Sequence, residues 1–378
     1  MIIKSLLDTD QYKLSMQQLV LHQFPGAQVK YRFACRNSKI DLSLFAGQIR
    51  KEIDSLGELR FKDDELDYLS RLRFIKKDYV EFLRLFRMNP EFIKIETDPF
   101  RLTIEGPWLH TILFEVPVLA LINETYFAKV ALGTGGQRRL RDKLDILAFA
   151  PKDFKLAEFG TRRRYSGYWQ DIVVQCLAKS EHFVGTSNVM LAKKHNLTPI
   201  GTMGHELIQS GQAFVRISES QKHMLDCWVR EYRGDLGIAL SDTLGIDAFI
   251  RDFDLYFAKL YDGIRWDSGD AYEFGEKVIA HYKKLGIDPM TKTLVFTDSL
   301  DIPRALKIHD AFRTRIKTSF GLGTNLTNDL GPEPINIVVK MIECNGQPVA
   351  KLSDDPGKQA CDDLGYLAYL KSVFGRTD

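Results

Sequence analysis

At 378 residues, 44 % of them hydrophobic and 27 % charged, the chain is long enough for one barrel-sized unit with a smaller companion. A formal net charge of +2 excludes the strongly basic balance of a protein that lives on nucleic acid or an anionic membrane, so any anion binding is local. The opening residues Met1 to Ser5 show no apolar leader and no later run is expected to approach the ~18 apolar residues of a membrane span, which points to a cytoplasmic protein.

From residue 1 to about 120 the elements are mixed. Asp10 to His22 has helical spacing, Val29 to Cys35 alternates as a strand, and Phe45 to Leu56 and Asp63 to Leu72 are again helical. Ile93 to Thr97 and Phe100 to Pro107 read as the two strands of a hairpin across the turn residues Asp98 and Pro99. A buried helix over Glu115 to Val130 and a charged amphipathic one over Gln137 to Leu147 lead into the next region.

From about residue 152 the rhythm becomes apolar run, polar turn, amphipathic helix. The runs are Lys155–Phe159, His182–Gly185, Thr198–Thr202, Leu236–Leu240, Gly263–Trp266, Thr293–Thr297 and Arg315–Phe320. Helical stretches such as Tyr168–Ala178, Asp247–Asp254, Glu273–Leu285 and Pro303–Phe312 lie between them. Strands alternating with helices imply parallel pairing. Seven units favour a closed or nearly closed barrel over an open doubly wound sheet, so the expected fold is an irregular, TIM-like α/β barrel over 121–332. Its companion is an α/β domain of residues 1–120 completed by 333–378, where Ile335–Cys344 and Pro348–Ser353 flank the hairpin turn Asn345-Gly346. Neither a Gly-x-Gly-x-x-Gly nor a Gly-x-x-x-x-Gly-Lys-Ser/Thr motif is present, which removes the main support for dinucleotide-fold and Walker-type sites.

Polar groups collect at the carboxyl ends of these runs, where a barrel carries out its chemistry. Gly201, Thr202 and Gly204 clear space before His205, which is placed at a helix start. Asp242 is a natural orienter for that imidazole, since a carboxylate on one ring nitrogen fixes the tautomer and leaves the other nucleophilic. Asp267 and Asp298 each close an apolar run. Alone, either reads equally as a helix N-cap, whereas together at one mouth they suit sugar hydroxyls, a magnesium ion or a developing cation. The segment Gly321, Leu322, Gly323, Thr324, Asn325 is the best phosphate candidate, because two glycines let backbone amides approach an anion, although such loops are as often tight turns. Arg162, Arg163 and Arg164 splay if helical, so at most two reach one ligand, and Phe159 just before them can stack on a flat ring. Five scattered cysteines without a Cys-x-x-Cys pair read as reduced thiols, and no metal held by the protein itself is expected. Magnesium carried by phosphates needs only one or two carboxylates.

These motifs, Leu6–Gln18, Glu158–Arg164, Phe183–Asn188, Gly201–Glu206, Gly263–Asp270 and Ser319–Thr324, make the chain similar along nearly its whole length to the bacterial-type nicotinate phosphoribosyltransferases. The resemblance implies a barrel joined to an α/β sandwich built from both chain ends, in a homodimer with active sites at the interface. It implies a reaction of nicotinate with 5-phosphoribosyl-1-pyrophosphate coupled to ATP hydrolysis through a phosphohistidine at His205, with Asp242 and Asp267 as its carboxylate partners. Tyr12 matches an aromatic that a neighbouring subunit lends to sandwich the pyridine against Phe159. Arg162 and Arg265 match the pair handling the carboxylate and phosphates, and Thr186 lies in the substrate-binding motif. Asp298 with Gly321, Gly323, Thr324 and Asn325 matches the ribose and 5-phosphate cradle. Ser187 stands where the nicotinamide-using relatives carry an aspartate. A hydroxyl there can donate to a carboxylate that an aspartate would repel, so acid is expected over amide. Rival readings are the amide-using relative, a barrel aldolase, which needs a lysine or metal cluster that no strand end clearly supplies, and a non-catalytic nucleotide sensor, which needs no nucleophile with an orienter.

Overall fold

The computed structural model describes residues 1–130, 133–359 and 361–376. Among them the strands are β1 (Gln28–Cys35), β2 (Ile93–Thr97), β3 (Phe100–Pro107), β4 (Leu156–Glu158), β5 (Phe183–Thr186), β6 (Ile238–Leu240), β7 (Gly263–Trp266), β8 (Thr293–Phe296), β9 (Lys317–Leu322), β10 (Ile337–Cys344) and β11 (Gln347–Pro348). They form two sheets. An antiparallel one has the order β11-β10-β1-β3-β2, and a parallel one the order β5-β4-β9-β8-β7-β6.

The antiparallel sheet joins the two ends of the chain. β1 alternates as its sequence requires, burying Val29, Tyr31 and Phe33, and β10 lies against it from Val29↔Cys344 to Cys35↔Ile337. Asn345 and Gly346 both take positive φ, 49° and 75°, as the two-residue turn demands, and this sends the chain back as β11. Among the helices, Gln11–Gln23, Ala46–Leu56, Glu115–Val130, Gly136–Ala148, Gly167–Leu177, Ala271–Lys284 and Ile302–Phe312 fall where periodicity puts them. The stretch expected as Asp247–Asp254 is the helix Ile246–Asp252, and a further helix, Leu255–Leu260, follows it, capped by the Asp254 side chain accepting from the amides of Tyr256 and Phe257.

The expected closed barrel is not formed. Of the seven runs, Thr198–Thr202 is not a strand: a single parallel bridge, Thr186↔Pro199, is all the ladder it makes. Pro199 has no amide to donate, and Gly201 at φ 155° turns the backbone out of strand geometry. Between this segment and β6 the connection is a side chain, Thr202 Oγ1 donating to the Ile238 carbonyl at 2.9 Å. The result is a six-stranded parallel sheet with helices packed on it. The helical stretch Trp108–Val130 is long and apolar enough to cross a membrane by length and composition, yet 78 % of its apolar window is buried inside the fold.

A buried ion cluster locks the first residues onto the parallel sheet. Arg164, 1 % exposed, donates to both Asp8 oxygens at 2.6 and 2.7 Å and to Glu124 at 2.8 Å, and Asn188 adds a bond to Asp8 at 2.8 Å. Removing one partner of such a cluster leaves uncompensated buried charge, so Arg164→Ala is expected to lower the unfolding free energy by about 3–5 kcal/mol. Urea denaturation measures it, and a loss below about 1 kcal/mol, the scale of an exposed pair, would refute the assignment.

Candidate active site

His205 opens the helix His205–Ser210 with Gly204 as its N-cap, immediately after the non-strand segment that follows Pro199. Its Nε2 lies 2.9 Å from Asp242 Oδ1 beyond β6 and 3.6 Å from Asp267 Oδ2 beyond β7. Lys351, from the segment after β11, reaches the same Nε2 at 2.8 Å and Asp242 Oδ2 at 2.7 Å, and Ser268 donates to that oxygen at 2.6 Å. Asp242 is 1 % exposed and the imidazole 22 %. One Nε2 cannot both donate to Asp242 and accept from Lys351. With the proton on Nε2 pointing to Asp242, the Nδ1 lone pair is the free one, and among the described residues Nδ1 has no hydrogen-bond partner.

Burial, and then the Lys351 ammonium, hold the His205 imidazole below its ordinary value against the opposing pull of Asp242. Burial acts to raise the Asp242 carboxyl, but Lys351 and His205 outweigh it and keep that group well below the carboxylate range. The site therefore holds a neutral imidazole beside a buried carboxylate–ammonium pair. Asp267 accepts from Thr297 Oγ1 at 2.7 Å, and Lys358 pairs with Asp298 at 2.5 Å while donating to the Asp267 carbonyl at 3.2 Å. Arg265 donates to the Met203 carbonyl at 3.0 Å, bracing the segment that delivers His205. Lys351 and Lys358 were not legible in the sequence as site residues. Lys340 on β10 belongs to the same basic face, its ammonium lowered to about 8 by burial and by Arg36, Lys351, Arg32 and Lys358 around it.

His205, Asp242 and Asp267 present ligand atoms within 4.8 Å of one another, but the Lys351 ammonium already occupies that cluster, which does not suit a metal held by the protein. Asp267 and Asp298, 28 % and 23 % exposed, are the more open carboxylates of the same rim, Asp298 with Lys358 beside it.

The second half of the site is built on the first helix. Arg162 is exposed at 45 %, pairs with Glu115 at 3.3 Å and lies 6.0 Å from the Tyr12 ring centroid. The three arginines splay as expected: Arg163 donates to the Ile337 carbonyl and Arg164 is buried on Asp8 and Glu124. Tyr12 donates to Glu115 at 3.1 Å, and a Cβ on Gly204 would come 3.0 Å from its ring. The chain thus seats Tyr12 beside its own His205 helix, with its hydroxyl on Glu115. Phe159 lies over Gly321, where a Cβ would come 2.3 Å from its ring and 3.0 Å from Thr297.

Two expected contacts are corrected. The Thr186 hydroxyl is buried, donates to Glu158 at 2.5 Å and accepts from the Asn188 amide, so it braces the loop instead of facing a substrate. The Ser187 hydroxyl donates to Asp10 at 2.7 Å and is not free to donate to a second carboxylate. Burial pushes that Asp10 carboxyl up in spite of Arg162 nearby. Gly321 lies inside β9, and its missing side chain makes room for Phe159. Gly323 does the same for the Phe159 carbonyl, 3.0 Å from where its Cβ would be. Thr324 and Asn325 begin the short helix Thr324–Thr327, with the Asn325 carbonyl held by Lys143 at 2.6 Å. The five cysteines are free thiols.

Because Lys351 and Asp242 act on the His205 ring in opposite senses, removing them has opposite effects. Lys351→Met is expected to raise the His205 titration midpoint and Asp242→Asn to lower it. Ring-nitrogen NMR across pH reads both, and shifts of the same sign would refute the opposing effects of the two groups.

Two family models match the chain. Residues 7–123 match the nicotinate phosphoribosyltransferase N-terminal domain and residues 154–378 the nicotinate phosphoribosyltransferase family. The chain is 54 % identical over 390 residues to a nicotinate phosphoribosyltransferase of Burkholderia mallei, covering 100 % of this chain and 98 % of that protein. It is 55 % identical over 385 residues to one of Xanthomonas euvesicatoria, covering 99 % and 98 %. Among solved structures, nicotinate phosphoribosyltransferase from Vibrio cholerae superposes with a TM-score of 0.95 at 39 % identity, over 100 % of this chain and 94 % of that one. The enzyme from Porphyromonas gingivalis does so with a TM-score of 0.94 at 35 % identity, over 99 % and 100 %.

Proposed function

The chain belongs to the nicotinate phosphoribosyltransferase family, and from that premise we propose that it is an enzyme of NAD biosynthesis. It joins nicotinate to the phosphoribosyl group of 5-phosphoribosyl-1-pyrophosphate, releasing pyrophosphate and forming nicotinate mononucleotide. ATP is a co-substrate whose hydrolysis passes through phosphorylated His205. The observation that carries this reading is the neutral, Asp242-oriented imidazole at a rim that also bears Asp267, Asp298 and the lysines 351 and 358.

The chemistry follows from charge. Displacement of pyrophosphate at the sugar C1 passes through an oxocarbenium-like centre, which the carboxylates of Asp267 and Asp298 stabilise from the rim. Lys351, Lys358 and Lys340 offer positive charge to the phosphates. Magnesium bound on those phosphates supplies further neutralisation of the leaving group. Nδ1 of His205 forms a bond to the γ-phosphorus of ATP as the bond to the bridging oxygen breaks and ADP departs. Asp242 accepts the Nε2 proton's hydrogen bond and stabilises the cationic ring that results, and water later takes the phosphoryl group as inorganic phosphate. Selection of acid over amide falls to Arg162, the exposed cation beside Tyr12, since the Ser187 hydroxyl is committed to Asp10. Phe159 supplies an aromatic face for the pyridine. A second copy of the chain completing the interface is part of this reading, and the apolar side chains Phe149 and Tyr168, 91 % and 78 % exposed, are surface that it could cover.

The direct test is formation of nicotinate mononucleotide from nicotinate, with nicotinamide in parallel, with and without ATP. Turnover on nicotinamide alone would overturn the substrate assignment. His205→Asn is expected to abolish ATP coupling and the acid-labile phosphate seen by mass analysis while leaving slow ATP-independent transfer. Undiminished coupled ATP hydrolysis in that variant would remove His205 from the mechanism.

A further inference from the structure

Beneath the site, four groups of alternating charge run in a line. Arg162 pairs with Glu115 at 3.3 Å, Glu115 with Lys13 at 2.6 Å, and Lys13 with Glu206 at 2.8 Å. Lys13 is 0 % exposed and its two carboxylates 12 % and 8 %, so the interior of the line is closed to water while the Arg162 end lies open at the rim. Glu206 is the residue after His205 on the same short helix, and Tyr12 adds its hydroxyl to Glu115. The line is neutral as a whole, and every interior charge has its counter-charge beside it.

A surface arginine gains nothing from a lysine buried two groups away unless its own carboxylate needs holding. Without Lys13, only the Tyr12 hydroxyl would hold Glu115 against swinging outward with Arg162, since the long side chains at an exposed pair cost more entropy to hold than the pair returns. Lys13 prevents this. We infer that Lys13 is a positioning residue for substrate selection: through Glu115 it fixes the Arg162 guanidinium at the rim, and through Glu206 it ties that guanidinium to the helix carrying His205. The inference rests on the reading of Arg162 as the cation that meets the substrate's carboxylate.

The test compares the unaltered chain with Lys13→Met, close in length without charge, and with Lys13→Met/Glu206→Gln, which keeps the buried charges balanced should the single variant fail to fold. In both, the ratio of kcat/KM for nicotinate over nicotinamide is expected to fall at least about tenfold, through KM for nicotinate, the scale of one misplaced hydrogen bond to a charged group. KM for phosphoribosyl pyrophosphate is expected to stay within about threefold, because a general loss of structure would move both substrates alike. The Arg162 Nε–H resonance, assigned with Arg162→Lys, is expected to be sharp in the unaltered chain and broadened in both variants. An unchanged acid-to-amide ratio, or an arginine resonance equally sharp in folded double variant, overturns the inference. Were the unaltered chain inactive on nicotinate, the functional reading would fall, while the resonance would still decide whether Lys13 positions Arg162.

Discussion

The buried carboxylate of Asp242 is the constraint on which the site depends. It receives His205 Nε2 on one oxygen and both Lys351 and Ser268 on the other, so three parts of the chain far apart in sequence are fastened to a single group with 1 % exposure. A buried ionised carboxylate is tolerated only when its lone pairs are satisfied and a counter-charge is adjacent. Lys351 provides the charge, and together with burial, the larger influence, it keeps the imidazole neutral. Orientation of the ring and its basicity thus come from one arrangement.

That arrangement explains why the two sheets belong together. The parallel sheet brings Asp242, Asp267 and Asp298 to one rim through the ends of β6, β7 and β8. The lysines arrive from the other sheet, where pairing of β10 with β1 fixes where the chain emerges after β11. The first helix is held by Asp8 on Arg164 and carries Tyr12 and Lys13 to the same rim. Leaving the parallel sheet open at Pro199 and Gly201 frees the segment that presents His205. Were that segment hydrogen-bonded as a strand, its backbone would be committed to a ladder and the Thr202 side-chain bridge to Ile238 would not be needed.

Much of this was legible in the residues. Alternation at Val29, Tyr31 and Phe33, the Asn345-Gly346 turn and the helical periodicities are local signals, each set by backbone sterics and a one-sided core, so they identify elements without knowledge of neighbours. The polar strand ends at His205, Asp242, Asp267 and Asp298 were visible for the same reason. Counting units overstated the closure, because a ladder needs an amide that Pro199 lacks and a backbone angle that Gly201 does not adopt. Ser187 reads as a free hydroxyl and Thr186 as part of a substrate-binding motif, since nothing in the sequence shows that Asp10 and Glu158 accept from them.

What the sequence by itself determined was the set of elements, their αβ alternation and the chemical types gathered at strand ends, because these follow from periodicity and from side-chain chemistry over a few residues. What only the tertiary structure decided was which charges meet. Lys351 in a hairpin's trailing segment reads like any solvated lysine, and Lys13, Glu115 and Glu206 are separated by 102 and 91 positions of chain. Ion pairs at that separation are chosen by how two sheets and a core helix pack, since a buried charge takes the partner the fold brings within about 4 Å, and sequence distance does not enter the Coulomb energy.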